Sequence, residues 1–271
     1  MIFSVVVLSF NSKRTIEKCL NSLISSLDEF KQPSEVFVID NGSIDGSVEL
    51  IKDYASTYPD IIKPTFFKEN TGTTFSRNSG LKSSKGEYVL ILDSDAYMTF
   101  SALKVMKDYL DQSPKVGLVC PKLIYGDGRF QLSTDIFPTI TRKFQRFLAL
   151  DNIQKNVVES SLKTGKVDYA ISACWLIRRD AVNAVNGFDE AIFYAPEDVD
   201  YCIQVWLNKF EIHYLIDETV VHDAQELSRG FKITKFHIEH VKGLLYLFKK
   251  YGYGFSARSL YKKIKKIHHG V

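Results

Sequence analysis

One stretch limits what this chain can fold into more than any other: Gly86-Glu-Tyr-Val-Leu-Ile-Leu-Asp-Ser-Asp-Ala96. Tyr88 to Leu92 is an unbroken apolar run, the pattern of a strand buried on both faces. Covering both faces of a sheet calls for helices on each side, and so for strands alternating with helices. The run ends on Asp93 and Asp95, with only Ser94 between them. One acid in such a loop is an ordinary turn or cap residue. Two acids held this close repel unless a cation sits beside them. Carboxylates on a short loop suit Mg2+ or Mn2+, hard cations that keep positions open for phosphate oxygens.

The chain before this run supplies the alternation. Ile2–Leu8 reads as a buried strand, with Asn11 or Ser12 capping a helix whose Ile16, Leu20, Leu23, Ile24 and Leu27 recur at helical spacing. Glu35–Ile39 is a second strand, followed by the turn-rich Asp40-Asn-Gly-Ser-Ile-Asp-Gly46 and a helix on Val48, Ile51 and Tyr54. Residues 61–68 supply a third strand, Glu69–Thr74 a polar loop, and Phe75–Ser84 a short helix bearing Arg77 and Asn78. This spacing predicts an open, mostly parallel sheet, Rossmann-like and flanked by helices. Ligands of such sheets bind beyond the carboxyl ends of the strands, where Ser9, Asp40, Asn70 and Asp93 all fall.

Beyond the central strand, 100–110 reads as a helix, 116–120 as a strand and 121–166 as a long, partly helical excursion containing the basic-aromatic Thr141–Phe147. Residues 167–177 are strand-like, with Cys174, Trp175 and Arg178 towards the end. Pro196 followed by acids opens a helix over 197–207. A last strand, 212–221, ends on His222-Asp223. Residues 231–271 carry ten Lys/Arg and one acid, Glu239, interleaved with aromatics. Three readings fit this helical tail: a foot on an anionic membrane, a homodimer contact, or a helix docked on the body. The division expected is a body over 1–230, with halves 1–120 and 121–230, and the tail over 231–271.

A formal net charge of +3 gives no field of the kind nucleic-acid binding needs, and no nucleic-acid module accompanies the basic tail. Four widely spaced cysteines in apolar contexts read as reduced thiols of a cytoplasmic protein. The apolar N-terminus is too short to span a bilayer and reads as the first strand.

The ordered set of landmarks resembles the family 2 glycosyltransferases. It comprises Val5–Ser12, Val38–Ser47, Asn70-Thr-Gly72, Arg77-Asn78, Lys85–Asp95, Ser172–Arg179, Gly187-Phe-Asp-Glu190, Glu197-Asp-Val-Asp200 and Val221-His222. The resemblance covers roughly residues 2–225 and is closest to the bacterial rhamnosyltransferase-like branch. It implies a GT-A fold, a nucleotide-sugar donor (a UDP- or dTDP-sugar), a divalent metal and inversion at the anomeric carbon. By resemblance, Ser9, Phe10, Asn11, Asp40, Asn41, Gly42, Asn70, Arg77, Asp93, Ser94 and Asp95 belong to the nucleotide-sugar site. Asp40 recognises the base in that assignment and Arg77 reaches the diphosphate. Asp95, Asp93 and His222 hold the metal, although the branch often has Asn-Pro-Asp where this chain has Asp93-Ser-Asp95. Asp198 is the base that takes the acceptor's proton, Glu197 orients the site or contacts the acceptor, and Trp175 and Arg178 lie on the acceptor side or close the core.

The activity implied is transfer of rhamnose or another hexose to a lipid-linked or growing cell-surface glycan, at the cytoplasmic face of a membrane. A sugar-1-phosphate nucleotidyltransferase would need a glycine-rich phosphate loop after the first strand, and Ser9-Phe-Asn-Ser-Lys13 has no glycine. A catalytically silent binding scaffold predicts loss of the acids, all of which are present.

Overall fold

The computed structural model describes residues 1–143, 162–224 and 235–270. Strands β1 (Phe3–Ser9), β2 (Ser34–Asp40), β3 (Ile62–Phe66) and β4 (Tyr88–Asp93) alternate with helices α1 (Ile16–Phe30), α2 (Ser47–Thr57) and α3 (Thr73–Ser83). The short β5 (Ala96–Tyr97), α4 (Phe100–Gln112) and the long β6 (Val116–Ile124) follow. The excursion then carries β7 (Phe130–Gln131), β8 (Thr134–Asp135), β9 (Gly165–Lys166) and β10 (Tyr169–Ala170). Residues 144–161, including most of the basic-aromatic stretch, lie outside the described residues. The chain continues through β11 (Cys174–Arg178), α5 (Arg179–Val185), α6 (Glu197–Leu207), β12 (Glu211–His222), α7 (Lys235–Tyr251) and α8 (Arg258–His269).

The main sheet runs β3–β2–β1–β4–β11–β6–β12–β5. Its first four strands are parallel, and β6 and β12 are parallel to each other. Among the long strands β11 alone is reversed, antiparallel to both β4 and β6. Pro64, which cannot donate to a ladder, sits on the edge strand β3, where that costs least.

Alternation along β1 divides the core. Phe3, Val5 and Val7 turn to one side and pack with α1, α2 and α4; Val6 turns to the other, with α3, α5 and α6. The four cysteines are buried and free. The described part of the basic tail docks on the body. Leu247, Tyr253, Ala257 and Leu260 are buried in the second cluster, beside Tyr201 and Cys202. Lys250 bridges Asp189 and Asp200 at 2.7 Å each, and the Tyr251 hydroxyl donates to Asp200 at 2.8 Å. No described helix is long and apolar enough to cross a membrane.

Candidate active site

The carboxyl ends of β1, β2 and β4 are brought level by the ladder, which pairs Ser9 with Asp40 and Leu8 with Asp93. Beyond them lies a cavity of about 370 Å³. It is lined on one side by Phe10, Asn41, Asn70 and Gly72, at the strand ends by Arg77, Asp93, Ser94 and Asp95, and on the other side by Ser172, Phe193, Tyr194, Glu197 and Asp198.

Distant segments meet here for identifiable reasons. The two-residue β5 pairs with the end of β12, His222 opposite Ala96, which lays the imidazole over the acidic loop. The Asp223 N–H donates to the Asp95 carbonyl at 2.8 Å and fixes that register. His222 Nε2 stands 3.3 Å from Asp95 Oδ1 and 3.9 Å from Asp93 Oδ2, while Nδ1 shares a hydrogen bond with Gln131 Oε1 at 2.9 Å. An amide oxygen at Nδ1 keeps the proton there and leaves Nε2 facing the carboxylates. One ligand atom from each of Asp93, Asp95 and His222 lies within 4.8 Å of the others. Two carboxylates and one imidazole converging in this way fit a divalent ion of the Mn2+ or Mg2+ kind. Burial alone would lower the pKa of His222, yet the facing carboxylates, Asp95 foremost, raise it: the site is rich in negative charge.

Glu197 and Asp198 open α6 behind Pro196, where the helix dipole favours acids. Burial, then the charge of Asp198, push the Glu197 carboxyl up to about 7, against the pull of Arg77. Asp198 is raised as well, by burial, with Lys143 and the Val199 N–H working the other way. A carboxyl raised in this manner is a better proton acceptor than an ordinary one.

The Arg77 guanidinium joins the two acidic centres. It donates to Asp93 at 2.6 Å, to Glu197 at 3.0 Å and to the Ser172 hydroxyl at 2.7 Å, and its side chain is only 3 % exposed. Nη1 and Nη2 are thus engaged by protein groups, while Nε has no partner among the described residues and the side chain lines the cavity, where it clamps the two acidic centres together.

Other expected residues also shift. Asp40 is fully buried beneath the cavity, and its oxygens accept from the Ser9 hydroxyl and from the Ser43 amide and hydroxyl. Ser9 is buried with it, so neither is a wall of the cavity. Asn11, expected near the cap of α1, instead adopts φ 49° and clips residues 43 and 44. Gly42 has φ +81°, and a Cβ there would come within 2.6 Å of the Glu69 backbone, so the Asn70 loop closes over it. Asn41 does reach the cavity, holding that loop through Thr71, Asn70 and the Gly72 carbonyl.

Trp175 and Arg178 are absent from the site. Trp175 is fully buried against Phe188 and Tyr201. Arg178 lies opposite Tyr88, at the start of the central strand, where it donates to the Val116 carbonyl. The reason is direction: in the reversed β11 the beginning of the strand, not its end, faces the cavity. Ser172 occupies that place, inside a landmark of the resemblance that carries no site role for Ser172. Phe193 and Tyr194 were also missed; their one signal is an aromatic pair just before the acids. Gln131 gave none, and Lys143 lies in the basic-aromatic Thr141–Phe147, read only as part of the excursion.

A mixed sheet with an acid–acid–histidine cluster at its central strand end, facing an acidic helix start, defines a glycosyltransferase of the GT-A type. The family model "Glycosyl transferase family 2" matches residues 4–185, and the chain belongs to that family. Among curated proteins it is 25 % identical to a cholesterol galactosyltransferase of Borreliella burgdorferi over 273 residues, covering 96 % of this chain and 71 % of the relative. Among solved structures it is similar to Staphylococcus aureus TarS 1-349 in complex with UDP-GlcNAc. The TM-score is 0.64 at 20 % identity, over 98 % of this chain and 71 % of that one. A mannosyltransferase of Pyrobaculum calidifontis, in complex with GDP-Man and Mn2+, gives 0.61 at 19 % identity, over 98 % and 68 %. At these identities the structures establish the fold.

Proposed function

We propose that the protein is an inverting, metal-dependent hexosyltransferase that uses a UDP- or dTDP-sugar, rhamnose among the candidate hexoses, and acts on a lipid-linked or cell-surface glycan acceptor. One observation carries the reading: Asp93 and Asp95, which cluster with His222, and the Glu197–Asp198 pair line a single cavity. Phe10, Asn41 and Asn70 form the wall suited to the nucleoside. Asp95, Asp93 and His222 would hold Mn2+ or Mg2+, which would supply positive charge against the departing nucleoside diphosphate. Asp198 takes the proton of the acceptor hydroxyl as its oxygen attacks the anomeric carbon, the bond to the diphosphate breaking from the opposite side. Arg77 keeps Glu197 and Asp93 in fixed relation through the step, and Glu197 orients the acceptor.

The ligands of the similar structures, UDP-GlcNAc in one and GDP-Man with Mn2+ in the other, support the donor class and the metal. The cholesterol galactosyltransferase, whose name gives a lipid as acceptor, supports a lipid-linked acceptor for this chain.

Calorimetric titration of UDP and of dTDP, with and without Mn2+, tests the proposal. Wild type is expected to bind one of them in a Mn2+-dependent manner, and Asp95→Ala to lose that dependence. Binding of neither nucleotide in the presence of Mn2+ sinks the transferase reading.

A further inference from the structure

Helices α7 and α8 lie over α6 and bury one face each. On α7 that face is Gly243, Leu247, Lys250 and Tyr251. A Cβ on Gly243 would come within 2.2 Å of the Ala195 carbonyl, and Leu247 is fully buried. The opposite face carries Ile238, Val241 and Leu245, three and four residues apart, which are 49, 57 and 61 % exposed. Phe255, in the link to α8, is 75 % exposed. Beside it, Gly254 accepts from the N–H of Ile140, another exposed apolar residue. Single exposed apolar side chains are commonplace; a continued row is an interaction surface.

The charge around this row is all of one kind on α8. That helix buries Leu260 and turns Arg258, Lys262, Lys263, Lys265 and Lys266 outward, with no acid among its residues. On α7, Lys242 is paired with Glu239 at 2.8 Å, and Lys249 is exposed. Five cations on one helix exceed the formal charge of the whole chain, +3, so the remainder of the molecule is net acidic. Cation is thus concentrated on the helix that follows, through Phe255, the one that exposes the apolar row.

We propose that the outward faces of α7 and α8, with Phe255 between them, dock on an anionic lipid bilayer. Ile238, Val241, Leu245 and Phe255 enter the boundary between headgroups and acyl chains, and the α8 cations meet lipid phosphates. Other occupants satisfy only half of the surface. A nucleic-acid backbone would use the cations and leave the apolar row wet. A second copy docked symmetrically would press two cationic helices together. Ala195, whose carbonyl packs on Gly243, is also a wall of the cavity, so the docked helix adjoins the mouth of the site. That an acceptor is drawn from the same bilayer rests on the proposed transfer reaction; the docking does not.

The test is sedimentation of the full chain with phosphatidylcholine vesicles, with and without phosphatidylglycerol. Wild type is expected to sediment only with the anionic vesicles. Two variants, Leu245→Ser/Phe255→Ser and Lys262→Gln/Lys263→Gln/Lys265→Gln/Lys266→Gln, should each weaken binding at least about tenfold. All six positions are exposed, so the melting temperature and UDP binding should stay at the wild-type values. Wild type that ignores anionic vesicles, or either variant that sediments like wild type, overturns the proposal. So does a wild-type dimer in velocity sedimentation that Leu245→Ser/Phe255→Ser dissociates. Loss of UDP binding with docking intact would instead strike at the transferase reading.

Discussion

The Arg77 guanidinium ties Asp93, at the end of the central strand, to the helix-start acid Glu197. Removing one member of a buried ion pair leaves its partners charged and unsolvated, at a cost of about 3–5 kcal/mol. Arg77→Met is therefore expected to lower unfolding stability by that amount in urea titrations, where Arg77→Lys loses less by keeping the charge without the fork. The pH dependence has a definite sign. Arg77 holds the Glu197 pKa down, so without it Glu197 binds its proton more tightly. The variant should then lose less stability at about pH 5, where Glu197 is protonated, than at about pH 8, where it is not. Lys143 plays the matching part for Asp198, lowering a pKa that burial raises. A base must be unprotonated to act. Lys143→Met should therefore move the acid limb of kcat/KM to higher pH, measured on hydrolysis of the donor sugar nucleotide, with kcat on the alkaline plateau little changed.

At the scale of elements, α7 and α8 are parts of the core. Leu247→Ala is expected to cost about 2–5 kcal/mol, the usual range for a fully buried leucine, read as a lower urea midpoint. Deleting residues 235–271 should leave a chain that melts without cooperativity, since it strips the cover from Tyr201 and Cys202. The sequence showed α7 and α8 as basic and aromatic, yet the side on which they dock is set by Asp189, Asp200 and Gly243, whose contacts are long-range. The first four strands were legible for the opposite reason. Buried parallel strands such as β1 and β4 need apolar side chains on both faces, and the resulting runs are visible without any partner. The reversal of β11 leaves no such mark. An apolar strand reads alike in either direction, so Ser172 and Arg178 exchanged ends relative to the expectation. Buried acids were ambiguous in the same way: Asp40 and Asp93 both close a strand, but only the neighbours Ser43 and Arg77 determine which one lines the cavity.

For the whole molecule the decisive quantity is how strongly ligand binding is linked to folding. In the folded chain Asp93 and Asp95 are held together with His222, an arrangement the unfolded chain does not keep. Anything that binds only this arrangement stabilises the fold by mass action, about 2.7 kcal/mol at a concentration one hundred times its dissociation constant. Mn2+ should therefore raise the melting temperature, and Mn2+ with UDP should raise it further than the two separate increments combined, because each completes the other's site. His222→Ala removes one ligand and should abolish most of the Mn2+ increment. Asp198→Asn, on the far wall, should leave that increment intact while abolishing turnover. A thermal-shift series over these three proteins, with EDTA as reference, separates the two walls of the cavity. A Mn2+ increment surviving in His222→Ala would show that the histidine is only a buried partner of Gln131 and Asp95. Loss of the increment in Asp198→Asn would mean that the two walls do not act as separate sites for metal and proton.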